Sequence, residues 1–140
     1  MTKNMKVLHG TAAWFDMVGS VLMDAATRAE LPQDHNVSLV ERYTDGSALG
    51  PGLVQGLRLD IINGKPSFRR GARRDECGDV TVEVTRAASY KLNTLPGDDP
   101  AFQRALAHLQ ANGELKIEGD PARLGVWFTV VHDQIVAQTS

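Results

Sequence analysis

The sequence predicts a mixed fold in which helices and half-buried strands pack around a shared apolar space. Three observations predict it. Residues 99–120, DPAFQRALAHLQANGELKIEGD, hold a helix, a stop, an alternating strand and the start of another helix. Residues 53–62 alternate apolar side chains with Arg58 and Asp60 and run into Asn63-Gly64. Residues 11–31 carry an apolar stripe at helical spacing. A chain of 140 residues is expected to form one domain. That length buries roughly two thirds of its unfolded surface, enough for a core without disulfides or metal.

Residues 1–9 are expected to be a loose arm. Over residues 11–31, Trp14, Val18, Val21, Leu22, Ala25 and Ala29 share one side of a helix that Thr11 can cap. Leu31-Pro32 ends it, because the residue before proline avoids the α region. Phe15 and Met17 widen its apolar face, as a broad contact with the sheet or as an exposed patch. Residues 37–44 are the first strand and Asp45-Gly46 its turn. SALGPG reads as an irregular loop. Residues 53–62 are the clearest strand, and Asn63-Gly64 turns it back because both positions accept positive φ. Residues 66–74 return as a more polar strand whose Pro66 suits a sheet edge.

Residues 80–84 alternate Val80, Val82 and Val84 with Thr81 and Glu83, a further strand. Thr85 can cap a short helix over 86–92. Asp99 and Pro100 open the next helix as cap and first residue. Phe102, Leu106 and Leu109 make its apolar face, and Asn112-Gly113 stops it. In residues 114–118, Leu115 and Ile117 point one way and three charges the other. Asp120-Pro121 then launches a final helix to about residue 137, with Leu124, Trp127, Phe128, Val131 and Ile135 on one side. Val126, Val130 and Val136 add apolar surface, so this helix is buried on two sides or faces a ligand or partner.

A net charge of −2 and a pI near 6.0 supply no field to recruit nucleic acid. No helix-turn-helix or aromatic-basic strand pattern is present, so no nucleic-acid partner is expected. Cys77 is the single cysteine, which excludes an internal disulfide and a thiolate cluster and points to a reducing cytoplasm. Neither a signal-type apolar run, nor a membrane-length segment, nor a lipidation or peroxisomal address is seen. The four histidines are scattered, without metal-ligand spacing. His132-Asp133 point about 100° apart on a helix, and a solvated histidine is expected there. Capping explains Asp99 of the Asp98-Asp99 pair. No phosphate loop, nucleophile elbow or dinucleotide fingerprint occurs. No catalytic residue, metal or cofactor is therefore expected.

Arg69, Arg70, Arg73 and Arg74 form the one dense positive cluster. A charged edge strand that resists edge-to-edge pairing accounts for it. A dock for phospholipid headgroups or acyl-CoA phosphates is the alternative, weakened by Asp75 and Glu76.

The order of events in the second half resembles the sterol carrier protein 2 family of lipid-transfer domains. LRLDIINGKPSF matches the family's strand, Asp/Asn-Gly-Lys turn and strand. Residues 79–84, DVTVEV, resemble its next strand before a short helix. The helix ending in Gly113, Leu115, Lys116, Ile117, Gly119 and Asp120 carries its Gly-x-Leu-Lys-Ile-x-Gly-Asp pattern. The resemblance covers about residues 37–135. It implies an α+β domain, one five-stranded and mainly antiparallel sheet covered by helices, with an apolar tunnel between them. It implies a fatty acyl chain, acyl-CoA, phospholipid or sterol as ligand, in a bacterial-type cytoplasmic protein. The TLPGDDP loop is longer and more acidic than the family's usual connection.

On that resemblance, and on the wide apolar faces of the last two helices, Phe102, Leu106, Leu109, Leu124, Phe128, Val131 and Ile135 are the expected lining. Core filling by the same residues is the competing account, and Trp127 and Phe128 stand where they would fill ligand volume. The expected function is non-catalytic lipid binding or transfer, with transient contact to a membrane surface, as monomer or homodimer. The alternative is an accessory subunit of lipid or steroid metabolism that uses the apolar excess, including Phe15, Met17, Val126 and Val130, as a seam. An enzyme acting on lipid or steroid ranks last.

Overall fold

A computed structural model describes residues 6–140. Its elements run α1 (Ala12–Arg28), β1 (Val37–Tyr43), β2 (Ala48–Gly50), β3 (Leu53–Ile62), β4 (Lys65–Ala72), β5 (Val80–Val84), α2 (Arg86–Leu92), α3 (Pro100–Ala111), β6 (Leu115–Glu118) and α4 (Val131–Ala137). The local signals that start these elements are visible as bonds. Thr11 Oγ1 accepts from Trp14 N, Thr85 Oγ1 from Ala88 N and Asp99 Oδ1 from Ala101 N, each capping a helix. Asn63 and Gly64 both take positive φ in the β3–β4 turn.

The architecture is α+β, with helices over a mixed sheet. β1 lies at its centre, antiparallel to β3 and parallel to β5. β4 continues beyond β3 and β6 beyond β5, both antiparallel. The sheet has six strands rather than the expected five. The sixth is β2, inside SALGPG, where Ala48 and Gly50 pair with the first residues of β3. Its three residues are too short for alternation to appear in the sequence. The expectation of a loose arm falls partly on residues 1–5, outside the described residues. Val7 is not loose: its N–H donates to Gln138 O at 2.7 Å, and its carbonyl accepts from Ser140 N at 2.8 Å.

The expected final helix is broken. Residues Pro121–Leu124 and Val126–Val130 form separate 3-10 turns, and only Val131–Ala137 is α-helical. Gly125 sits at the first break with φ +121°. The Trp127 indole folds back onto it and donates to Leu124 O at 2.7 Å. Val126, Thr129, Val130 and Val131 are β-branched, which weakens regular helix through this segment.

The two faces of the sheet differ in chemistry. Register aligns Val37, Leu39, Glu41 and Tyr43 of β1 with Ile61, Leu59 and Leu57 of β3 and with Val80, Val82 and Val84 of β5. This apolar face packs under the helices, where Phe15, Val18 and Leu22 of α1 are buried. Of the two readings offered for Phe15, contact with the sheet rather than an exposed patch holds. Several of the alternate residues carry charge. Arg58 binds Asp60 and Glu76, Arg69 also binds Glu76, and Arg42 binds Glu83 at 3.0 Å.

Candidate functional site

The space between sheet and helices takes the form of two adjoining hollows. The first, about 170 Å³, is bordered by Val18 and Leu22 of α1, Leu39 and Leu57 of the sheet, and Val131 and Ile135 of α4. The second, about 240 Å³, is bordered by Val82, Val84, Leu115 and Ile117 of the sheet, Ser89 and Leu92 of α2, and Phe102 and Leu106 of α3. Four side chains belong to both walls: Glu41, Asn93, Phe128 and His132.

Strand phase explains why Glu41 is there. It follows Val37 and Leu39 at two-residue steps and faces Leu57 and Val82 across the ladder. Among the described residues, nothing hydrogen-bonds or ion-pairs its carboxyl. Burial pushes that carboxyl up to about 7, from an ordinary 4.5. The one signal for it in the sequence is phase: VSLVERY places a glutamate in step with three core residues.

Asn93 caps α2 and donates its Nδ2 to Ser89 O at 2.8 Å and to Ser89 Oγ at 3.2 Å. His132 is half-buried rather than solvated. Its Nε2 lies 2.8 Å from Leu95 O. A carbonyl only accepts, so Nε2 carries the proton. The Phe102 ring packs on the imidazole with centroids 4.5 Å apart. Asp133 does not orient His132; it accepts from Gly97 N at 2.8 Å. The adjacent pair braces the TLPGDDP loop from two sides.

A polar cluster closes the β1–α2 end. Tyr43 Oη is 2.6 Å from Ser89 Oγ, and His9 Nε2 is 3.0 Å from Ser89 Oγ and 3.1 Å from Tyr43 Oη. Burial pulls His9 down to about 4, so the ring is neutral at neutral pH. Burial, reinforced by Glu41, raises the Tyr43 phenol well above its usual range. Ser89 is 2 % exposed and its Oγ is shared among three side chains, an arrangement that braces α2 against β1. Among the described residues, no three His, Cys, Asp or Glu side chains are grouped to hold a metal ion.

The expected lining residues divide. Phe102 and Leu106 border the second hollow, Val131 and Ile135 the first, and Phe128 both. Leu109 and Leu124 are buried core and border neither. Phe128 is a wall of the space rather than its filling, and Trp127 packs on Gly125 outside both walls. The arginines also divide. Arg69 is held by Glu76, and Arg70 by Asp16 at 2.9 Å. Arg73 and Arg74 border an open groove with Asp75 and the β2–β3 turn, which shares no residue with the hollows.

No family model and no curated protein matches the chain. Solved structures do resemble it. A UbiJ-SCP2 ubiquinone synthesis protein is 18% identical over 89% of each chain, with a TM-score of 0.47. Sterol carrier protein 2 from Yarrowia lipolytica, in its apo form, is 16% identical over 97% of this chain and 98% of its own, with a TM-score of 0.44. A stereoselective inverting sec-alkylsulfatase from a Pseudomonas species is 24% identical over 84% of this chain and 15% of its own, with a TM-score of 0.45. Sterol carrier protein 2 structures therefore stand among those this chain resembles, and nothing about its ligand follows from them.

Proposed function

We infer that this protein holds a lipid-like small molecule between its helices and sheet, as a binding or transfer module that performs no chemistry on it. The observation that carries this reading is the pair of adjoining, largely apolar hollows with four walls in common. An apolar cavity of about 150 Å³ is enough for a benzene-sized guest. Each hollow therefore suits a short hydrocarbon unit. Together the adjoining hollows exceed the lower end of the usual ligand-site range, about 300 Å³. Each buried methylene contributes about 0.8 kcal/mol, so a ten-carbon chain contributes about 8 kcal/mol against the cost of association. The sequence pattern from Gly113 to Asp120 supports the same reading by resemblance. Arg73 and Arg74, at the far groove, are the cations left to meet an anionic headgroup or membrane surface.

Native mass spectrometry of freshly purified protein tests the reading. Adducts of a few hundred daltons, lost on denaturation, are the expected result. A clean dimer without adducts, and without uptake of added lipid, overturns it. That outcome favours the second reading, an accessory subunit that docks through its apolar surface. Val126 and Val130, 85% and 57% exposed, are the observation behind this alternative.

A further inference from the structure

We propose that the two hollows select a neutral amphiphile whose polar end donates a hydrogen bond, an alcohol or a primary amide, and reject the fatty-acid carboxylate of the same length. The proposal rests on the lipid-holding reading above and adds the chemistry of the ligand's head. It stands on which atoms of the shared wall have no partner among the described residues. Glu41 offers carboxyl oxygens. Asn93 has its amide nitrogen engaged by Ser89, which leaves Oδ1. His132 has its Nε2 proton engaged by Leu95 O, which leaves Nδ1 as an acceptor. The three polar side chains common to both hollows thus present acceptors, and their donors are already committed.

A hydroxyl or amide N–H placed among them is satisfied. A carboxylate, which only accepts, meets no free donor among the described wall residues and a like charge in an apolar surround. The charge on Glu41 is set by few neighbours. His132 from α4 shares its walls, and Tyr43 on its own strand is coupled to it. The surfaces brought by β3, β5, α1 and α3 are Leu57, Val82, Val18 with Leu22, and Phe102 with Leu106, none of them titratable. Burial holds the carboxyl near 7, so the wall is anionic in mildly alkaline solution and the discrimination is strongest there.

Isothermal titration with 1-decanol and with decanoate at roughly pH 8, above the Glu41 titration, tests the proposal. The wild-type chain is expected to bind decanol at least about tenfold tighter. Glu41→Gln, which removes the charge and adds a donor, is expected to gain decanoate binding by a similar factor. Glu41→Leu, an apolar replacement on an apolar face, is expected to fold and to lose the preference. Equal binding of the two probes to wild type, or a preference that survives in Glu41→Leu, overturns the selection and leaves the lipid-holding reading standing. Binding of neither probe overturns both.

Discussion

Glu41 makes protein stability depend on pH in a direction opposite to that of an ordinary paired carboxylate. Its folded-state value is about 7, against 4.5 for the free group. The folded chain therefore binds a proton more tightly than the unfolded chain. Below about pH 4.5 the group is protonated in both states and costs nothing through its charge. As pH rises from 4.5 through 7, the unfolded state releases its proton first and stability falls. Above 7 the loss is complete. At 1.36 kcal/mol per pH unit, the two values give a loss of about 3 kcal/mol, a large part of the 5–15 kcal/mol that holds a typical domain folded. The perturbation is Glu41→Gln, which keeps the shape and removes the titration. Urea unfolding of both proteins at a series of pH values between about 4.5 and 8 is the assay. Other titrating groups, including His9 and Glu76, are common to both chains and cancel in the difference. The variant is expected to gain on wild type by about 3 kcal/mol across that window. Stability curves that run parallel from pH 4.5 to 8 would refute the reasoning, because they would mean that Glu41 is as well solvated in the folded state as in the unfolded one.

Further outcomes follow from neighbouring features. Leu106→Trp puts an indole into the second hollow and should abolish binding of a ten-carbon ligand with the melting temperature nearly unchanged; unfolding in step with lost binding would make Leu106 plain core. Glu76→Ala leaves Arg58 and Arg69 facing each other without their shared carboxylate and should cost about 2 kcal/mol in urea unfolding. Despite the cost of its burial, the Arg69 and Arg58 guanidiniums and the Arg73 backbone N–H hold that carboxyl down to about 2, so its stabilisation is present above the ordinary 4.5 and is lost as pH falls through 2. A wild-type acid-unfolding curve that Glu76→Ala reproduces unchanged would contradict this. Gly119→Ala brings a methyl within 2.1 Å of Asp79 O at a residue with φ +86°, and a loss of about 2–3 kcal/mol is expected from urea unfolding; a neutral result would mean that this end of the β5–β6 ladder yields freely.

Most of the secondary structure was legible because its causes are local. Thr11, Thr85 and Asp99 cap helices whose first turns lie within three residues of them. Asn63-Gly64 turns a hairpin by its own backbone freedom, and the alternation of residues 53–62 survives as one continuous strand. Where several weak local preferences oppose one strong periodicity, the periodicity misleads. The stripe of Leu124, Phe128, Val131 and Ile135 suggests one helix, but Gly125 and the β-branched run break it into turns. Five of the seven expected lining residues border the hollows, whereas Leu109 and Leu124 are core. Helical spacing identifies a buried face and does not distinguish a residue that meets another side chain from one that meets a void.

By itself, the sequence determined most of the helix and strand segments, which faces are apolar, and where the caps and the hairpin fall. These properties depend on residues three or four positions apart, and short-range sterics and hydrogen bonds decide them. Only the tertiary structure decided that β1 pairs with β5 in parallel, that SALGPG contributes a sixth strand, and that Glu41, Asn93, Phe128 and His132 converge on one wall. Those residues come from β1, the end of α2, a 3-10 turn and α4. A hollow is the volume left where such elements fail to close on one another. It depends on packing across long sequence separations, and no local pattern encodes it.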